Sequence, residues 1–167
     1  MEVIVHRLND LKDLIKLPSI YGAEIDIRSQ NSKLILNHKP SRDGCNFIDY
    51  IENYKHGTLV LNIKESGIED EVLKIVKSKP IKSYFLLDVE MPYLYSSSKK
   101  GNRAIAVRYS EYENIKTIEY FNKLVDWVWI DTVTTLPINS EVLPVLSNFK
   151  SCIVCPERWG RKNEIQI

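Results

Sequence analysis

Eight apolar runs of five or six residues punctuate this 167-residue chain, at 3–7, 23–28, 34–38, 59–64, 84–89, 104–109, 127–131 and 151–155, all rich in Val, Ile, Leu or aromatic residues. Runs of that length suit buried strands and are too short for membrane spans. Between most of them the period changes to that of a helix. Phe47, Tyr50, Ile51 and Tyr54 fall at i, i+3, i+4 and i+7, and Ile115, Ile118, Phe121, Leu124 and Val125 follow the same logic. Strands apolar along much of their length, alternating with helices, predict a parallel sheet of βα units. Asn9 and Ser140 are the expected helix caps, and Pro144 weakens the last helix. Residues 95–102, with three serines, two lysines and a glycine, read as the best exposed loop.

Polar residues sit late in one run after another: His6, Asp26, Lys64, Asp88, Arg108 and Asp131, with Glu157 just beyond the last run. In a (β/α)₈ barrel such strand ends converge on one mouth, whereas in an open sheet they spread along an edge. No glycine-rich phosphate loop of the G-x-G-x-x-G type is present. The expectation is therefore an α/β chain folded as a TIM-type barrel, one domain over residues 1–167 with no linker. Seven of the runs count as main parallel strands, and 34–38 reads as a return strand within the second βα loop. Only residues 156–167 follow the seventh strand, whereas a full barrel takes at least about 200 residues. An incomplete or seven-stranded barrel follows, with any open edge covered by a second copy or a further segment.

The 23 Lys and Arg against 22 Asp and Glu leave a net charge of +1. That balance gives no bulk field for nucleic acid or an anionic membrane, so charge recognition must be local. No basic lead with a long apolar stretch opens the chain, so no leader peptide is expected. Three cysteines cannot all pair with one another, which suits a reduced, cytoplasmic protein. Cys152 and Cys155 match C-x-x-C, but residues i and i+3 of a strand face opposite sides and no second pair completes a zinc site; they read as core thiols.

Residues i and i+2 of a strand share a face, so Glu24 and Asp26 project side by side, as do Asn62 and Lys64. Paired acids in a cavity would hold a divalent cation, with His6 and His38 on neighbouring segments to flank it. That combination can neutralise a phosphate and move a proton on and off it. His6-Arg7, then Glu24-x-Asp26, then His38-x-Pro40, then Leu61-Asn62-Ile63-Lys64 is an order that resembles the glycerophosphodiester phosphodiesterases and the wider phospholipase-C-like phosphodiesterase superfamily. The motif match spans roughly residues 3–64; beyond it only the βα rhythm agrees.

The resemblance implies a TIM barrel with Mg²⁺ or Ca²⁺ on Glu24 and Asp26, and His6 and His38 as acid and base. It also implies a small-molecule or glycan phosphodiester as substrate. Leu8 stands where the family usually has Gly, Lys39 where it has Asp, and Asn62 where it has a third acidic ligand. Asn62 brings oxygen without charge and would hold the ion more weakly. Lys64 and Arg7 would oppose the charge that builds on the phosphate, with Arg28 and Arg108 either touching phosphate or pairing with acids. Asp88, Asp131 and Glu157 would either cap helices or touch substrate. Trp129, in a strand where indoles alternate with Val128 and Ile130, would either pack in the core or floor a sugar or glycerol site. His56 reads as a partner of a helix dipole. The expected activity is metal-assisted phosphodiester cleavage, by water or by a neighbouring hydroxyl. The alternative is a barrel that binds a phosphorylated glycan or polyol without turning it over.

Overall fold

The computed structural model describes residues 1–164 and separates into two compact units, Met1–Glu90 and Met91 onward. In the first unit, β1 (Ile4–Val5), β2 (Gly22–Gln30), β5 (Leu59–Ile63) and β6 (Tyr84–Leu87) are parallel neighbours, joined by α1 (Leu11–Lys16), α2 (Phe47–Glu52) and α3 (Glu69–Lys77). The sheet is mixed, because β3 (Lys33–Leu36) returns antiparallel along β2 and pairs in turn with β4 (Cys45–Asn46). Asn31 and Ser32 make that reversal, both with positive φ, 50° and 58°, which is the two-residue turn whose twist matches the flanking strands.

β2 positions the site. Ala23 pairs with Val5 on one edge and Leu59 on the other, and Ile27 pairs with Leu36 on one edge and Ile63 on the other. β1 and β3 therefore share one edge of β2 and approach it from opposite ends. Between them lie Glu24, Ile25 and Asp26, and there the two chain exits converge: the Leu8 amide donates to the Glu24 carbonyl at 2.9 Å and the Asn37 amide to the Asp26 carbonyl at 3.0 Å. That geometry brings His6-Arg7 beside His38. The pleat does the rest. Ile25, Ile27, Leu59, Leu61 and Leu86 are buried, as are the helix residues Leu14, Phe47, Ile51, Val72 and Val76, while Glu24, Asp26 and Asn62 take the alternate positions.

Gly22 is needed where β2 begins. A Cβ there would lie 2.4 Å from the Thr58 carbonyl oxygen, and that oxygen is fixed because it accepts from the Ala23 amide at 3.0 Å. Gly22→Ala should cost about 1–3 kcal/mol, as overpacking against rigid backbone does. An unchanged urea midpoint would show that the two strands can spread.

The second unit carries a three-stranded parallel sheet, β7 (Ala106–Tyr109), β8 (Trp127–Ile130) and β9 (Lys150–Ile153), with α4 (Met91–Lys99), α5 (Ile115–Phe121) and α6 (Leu143–Leu146). Its buried side chains include Val107, Ile118, Phe121, Val128, Ile130 and Leu146. Two short 3₁₀ turns, Pro156–Trp159 and Lys162–Glu164, follow.

The TIM-type barrel, whole or seven-stranded, is overturned: the strands form a six-stranded mixed sheet and a separate three-stranded one, and no closed barrel exists among the described residues. Helices of four to nine residues are too short for an outer ring. The alternation of periods reports βα units but carries nothing about how ladders join.

Three local expectations also change. The serine-rich stretch is largely helical, because the Ser96 and Ser98 hydroxyls are satisfied by the carbonyls of Tyr93 and Tyr95 while Leu94 and Ser98 form the buried stripe. Asp10, not Asn9, caps α1, accepting from the Lys12 amide at 2.7 Å. Asn139, not Ser140, receives the Glu141 and Val142 amides ahead of α6. The four residues of α6 hold Pro144 near the helix start, where its missing N–H costs nothing.

Candidate functional site

Glu24 and Asp26 are almost wholly buried on one face of β2, and Asn62 of β5 stands at the same level as Asp26. Glu24 Oε2 accepts the Arg7 backbone amide at 2.7 Å and lies 3.7 Å from His6 Nε2; Glu24 Oε1 accepts from Asn62 Nδ2 at 2.7 Å. Asn9 grips Asp26 twice, its Nδ2 donating to Oδ2 and its Oδ1 accepting the Asp26 amide, both at 2.8 Å. Asp26 Oδ1 meets His38 Nδ1 at 3.1 Å and Lys64 Nζ at 3.3 Å.

One donor-only and one acceptor-only neighbour fix the histidine. The Arg7 guanidinium lies 3.0 Å from His38 Nε2, and a guanidinium can only donate, so Nε2 carries the lone pair. His38 Nδ1 therefore carries the proton and donates it to Asp26. Arg7 reaches this point from a left-handed backbone, φ 56°, in the tight exit from β1. A carboxylate that orients an imidazole from behind, leaving the other nitrogen basic, is the arrangement of a general base.

Lys64 and Asp88 are the first residues beyond β5 and β6. Strand alternation alone would send Asp88 to the Leu86 face. Its φ of 60° breaks the alternation, and the carboxylate reaches Lys64 Nζ at 3.4 Å. The two terminal nitrogens of Arg28 donate to the carbonyls of Lys64 and His38, each at 3.1 Å, while its Nε is buried without a hydrogen-bond partner. Arg28 positions those two residues.

The carboxyls titrate in opposite directions. Burial pushes Glu24 above the ordinary carboxyl range, and the Asp26 charge adds to that against Asn62, the Arg7 amide and Lys64. Burial also pushes Asp26 up, but donation from Asn9 and His38 and the Lys64 charge outweigh it, so Asp26 lies below the ordinary range. A raised folded-state value means that ionising Glu24 opposes folding, a cost absent in acid and present once the pH exceeds the folded value. Asp26 works in reverse, its contribution present above the ordinary range and lost as the pH falls through its folded value. Glu24→Gln should therefore gain stability over the parent at pH 8 and not at pH 4, read from urea denaturation at both. An equal difference at the two pH values would remove Glu24 from the titration of stability.

The expected divalent cation was to be held by Glu24, Asp26 and Asn62, and these three are together. Their donor set does not fit a resident ion. Each of the four carboxylate oxygens already accepts from a protein donor, and Asn62 turns its NH₂ rather than its oxygen toward Glu24. Asn62 Oδ1 is buried without a hydrogen-bond partner, but reversing the amide would set oxygen against Glu24 Oε1. Mg²⁺ needs six hard oxygens and Ca²⁺ six to eight, whereas here an ammonium is in contact with Asp26. Among the described residues no group of three or more His, Cys, Asp or Glu could hold a metal.

Arg108, Trp129 and Asp131 meet one another within the second unit. Asp131 accepts from Trp129 Nε1 and from Arg108 Nε, both at 3.1 Å, and the N-cap of α6 is Val142, not Asp131. Glu157 is exposed on the first 3₁₀ turn, 3.4 Å from Lys162 Nζ. His56 does contact a helix end, meeting the Leu17 carbonyl that closes α1 at 2.9 Å and resting against Tyr54. Cys152 is half-buried and Cys155 exposed, neither in a disulfide, so the reading of core thiols fails for Cys155.

Asn9 is the site residue that sequence reasoning missed. Two cap-forming residues stand in tandem before α1, and only one is needed there; the spare was the signal.

No protein-family model matches the chain, and no curated protein or solved structure matches it. No helix among the described residues is long and apolar enough to cross a membrane.

Proposed function

We propose that this site cleaves a phosphodiester, with a glycerophosphodiester or a phosphate-bearing glycan as the substrate class. One observation carries the reading: His38 is held by Asp26 through Nδ1 while its basic Nε2 faces the Arg7 guanidinium, so base and phosphate-binding cation are adjacent. A phosphate oxygen draws Arg7 off Nε2 onto itself. His38 then takes the proton of the attacking oxygen, either water or a substrate hydroxyl beside the phosphate, as the new P–O bond forms. The bond to the leaving oxygen breaks, and the His6–Glu24 pair supplies the proton that the alkoxide needs. Lys64 and Arg7 oppose the charge that gathers on the non-bridging oxygens.

Release of p-nitrophenol from bis(p-nitrophenyl) phosphate, in Mg²⁺, Ca²⁺, Mn²⁺ or EDTA, tests this. No release above background in any of the four sinks the reading. Arg7 also favours a second one. Its guanidinium covers the lone pair that a base must use, and a protein that only binds a phosphorylated glycan or polyol would have no reason to uncover it. Saturable binding of the diester without release is the result that second reading requires.

A further inference from the structure

Three adjacent parallel strands contribute charges of alternating sign. Asp26 lies on β2, Lys64 directly after β5 and Asp88 directly after β6, and Lys64 Nζ sits 3.3 Å from the first carboxylate and 3.4 Å from the second. Its side chain is only 16% exposed. An ammonium has three N–H donors; two are spent on these carboxylates and one is left. Through Asp26 Oδ1 the same cation is linked to His38, and through His38 to Arg7. Asn62, beside it, presents an amide donor to Glu24 where a cation site would present an acceptor.

We propose that Lys64 is the resident cation of this centre, and that with Arg7 it binds the phosphate group of a diester directly, without a divalent ion. This rests on the phosphodiester reading for its ligand and goes beyond it by removing the metal. A desolvated ammonium held between two carboxylates is a fixed positive charge that costs no reorganisation when a phosphate arrives. It also repels a second cation from Asp26, the only carboxylate of the pair whose surroundings favour ionisation.

The experiment uses the whole 167-residue chain and two probes, Mn²⁺ alone followed by electron paramagnetic resonance, and dimethyl phosphate in EDTA followed by calorimetry. The parent should show no saturable Mn²⁺ site below about 1 mM, the weak end of oxygen-ligand affinities, and should bind dimethyl phosphate in EDTA. Lys64→Met should weaken that binding at least about tenfold, the loss of one charge-assisted hydrogen bond. Should Lys64→Met not fold, the two titrations of the parent still decide. A saturable Mn²⁺ site well below that limit and abolished by Asp26→Asn overturns the proposal, as does dimethyl phosphate binding that requires Mn²⁺ or is absent altogether. Binding in EDTA without cleavage of bis(p-nitrophenyl) phosphate would sink the catalytic reading and leave Lys64 as the cation. Cleavage only with added ion would do the opposite.

Discussion

His38→Ala should lower phosphodiester turnover by about 10²- to 10⁴-fold, the range that a positioned general base supplies. The imidazole is held by a carboxylate at 3.1 Å on one nitrogen and by a guanidinium at 3.0 Å on the other, so its removal takes away an oriented proton acceptor and no core packing. The side chain is 41% exposed, and the fold should survive with an unchanged circular dichroism spectrum. His6→Ala should fall in the same range, because in the proposed mechanism the leaving group takes its proton from the pair that His6 forms with Glu24, 3.7 Å apart. His56→Ala provides the contrast: its ring is occupied by the Leu17 carbonyl and Tyr54, and turnover should stay at the parent level. Initial rates on bis(p-nitrophenyl) phosphate separate the three. Equal rates across them would leave the mechanism with no proton carrier.

Asp26→Ala should destabilise the chain by about 3–5 kcal/mol, the cost of removing one partner from a buried charged pair. Asp26 has no exposed surface and joins Asn9, His38 and Lys64. Without it the Lys64 ammonium keeps only Asp88, and Asn9 loses one of its two bonds to residue 26, keeping the one from the backbone amide. Asp26→Asn should cost less, since an amide oxygen can still accept from one neighbour. It should nonetheless lose activity as His38→Ala does, because His38 is no longer held by a charged acceptor. Guanidinium denaturation and initial rates, measured on both variants, check the pair of expectations. A midpoint for Asp26→Ala within error of the parent would mean that the site is not part of the fold's support.

The strand positions were legible because β2, β5, β6, β7 and β8 are apolar runs whose period is set by burial on both faces. The pairs Glu24/Asp26 and Asn62/Lys64 were legible because i, i+2 alternation fixes a face, whereas His6, Arg7 and His38 were grouped with them by the order of the motifs. What alternation cannot carry is ladder order. Nothing in the residues of β6 or β7 states whether their edges meet, and the barrel expectation failed at that step. The roles of Arg28 and Asn62 were hidden as well. Whether a guanidinium meets carbonyls or solvent, and which end of an amide faces a carboxylate, depend on where the β3 return loop sits. Asp88 was named from its place at the end of a run, but its contact with Lys64 depends on a positive φ that no strand pattern predicts.

Arg28 ties the carbonyl of His38 to the carbonyl of Lys64, and so yokes two segments from opposite sides of β2 to one planar group. The loop that carries the base cannot lift without pulling on the segment that carries the cation. Base and cation therefore keep a fixed spacing while the side chains between them exchange partners. On the phosphodiester reading, a diester would enter a gauge whose width is set by Arg28.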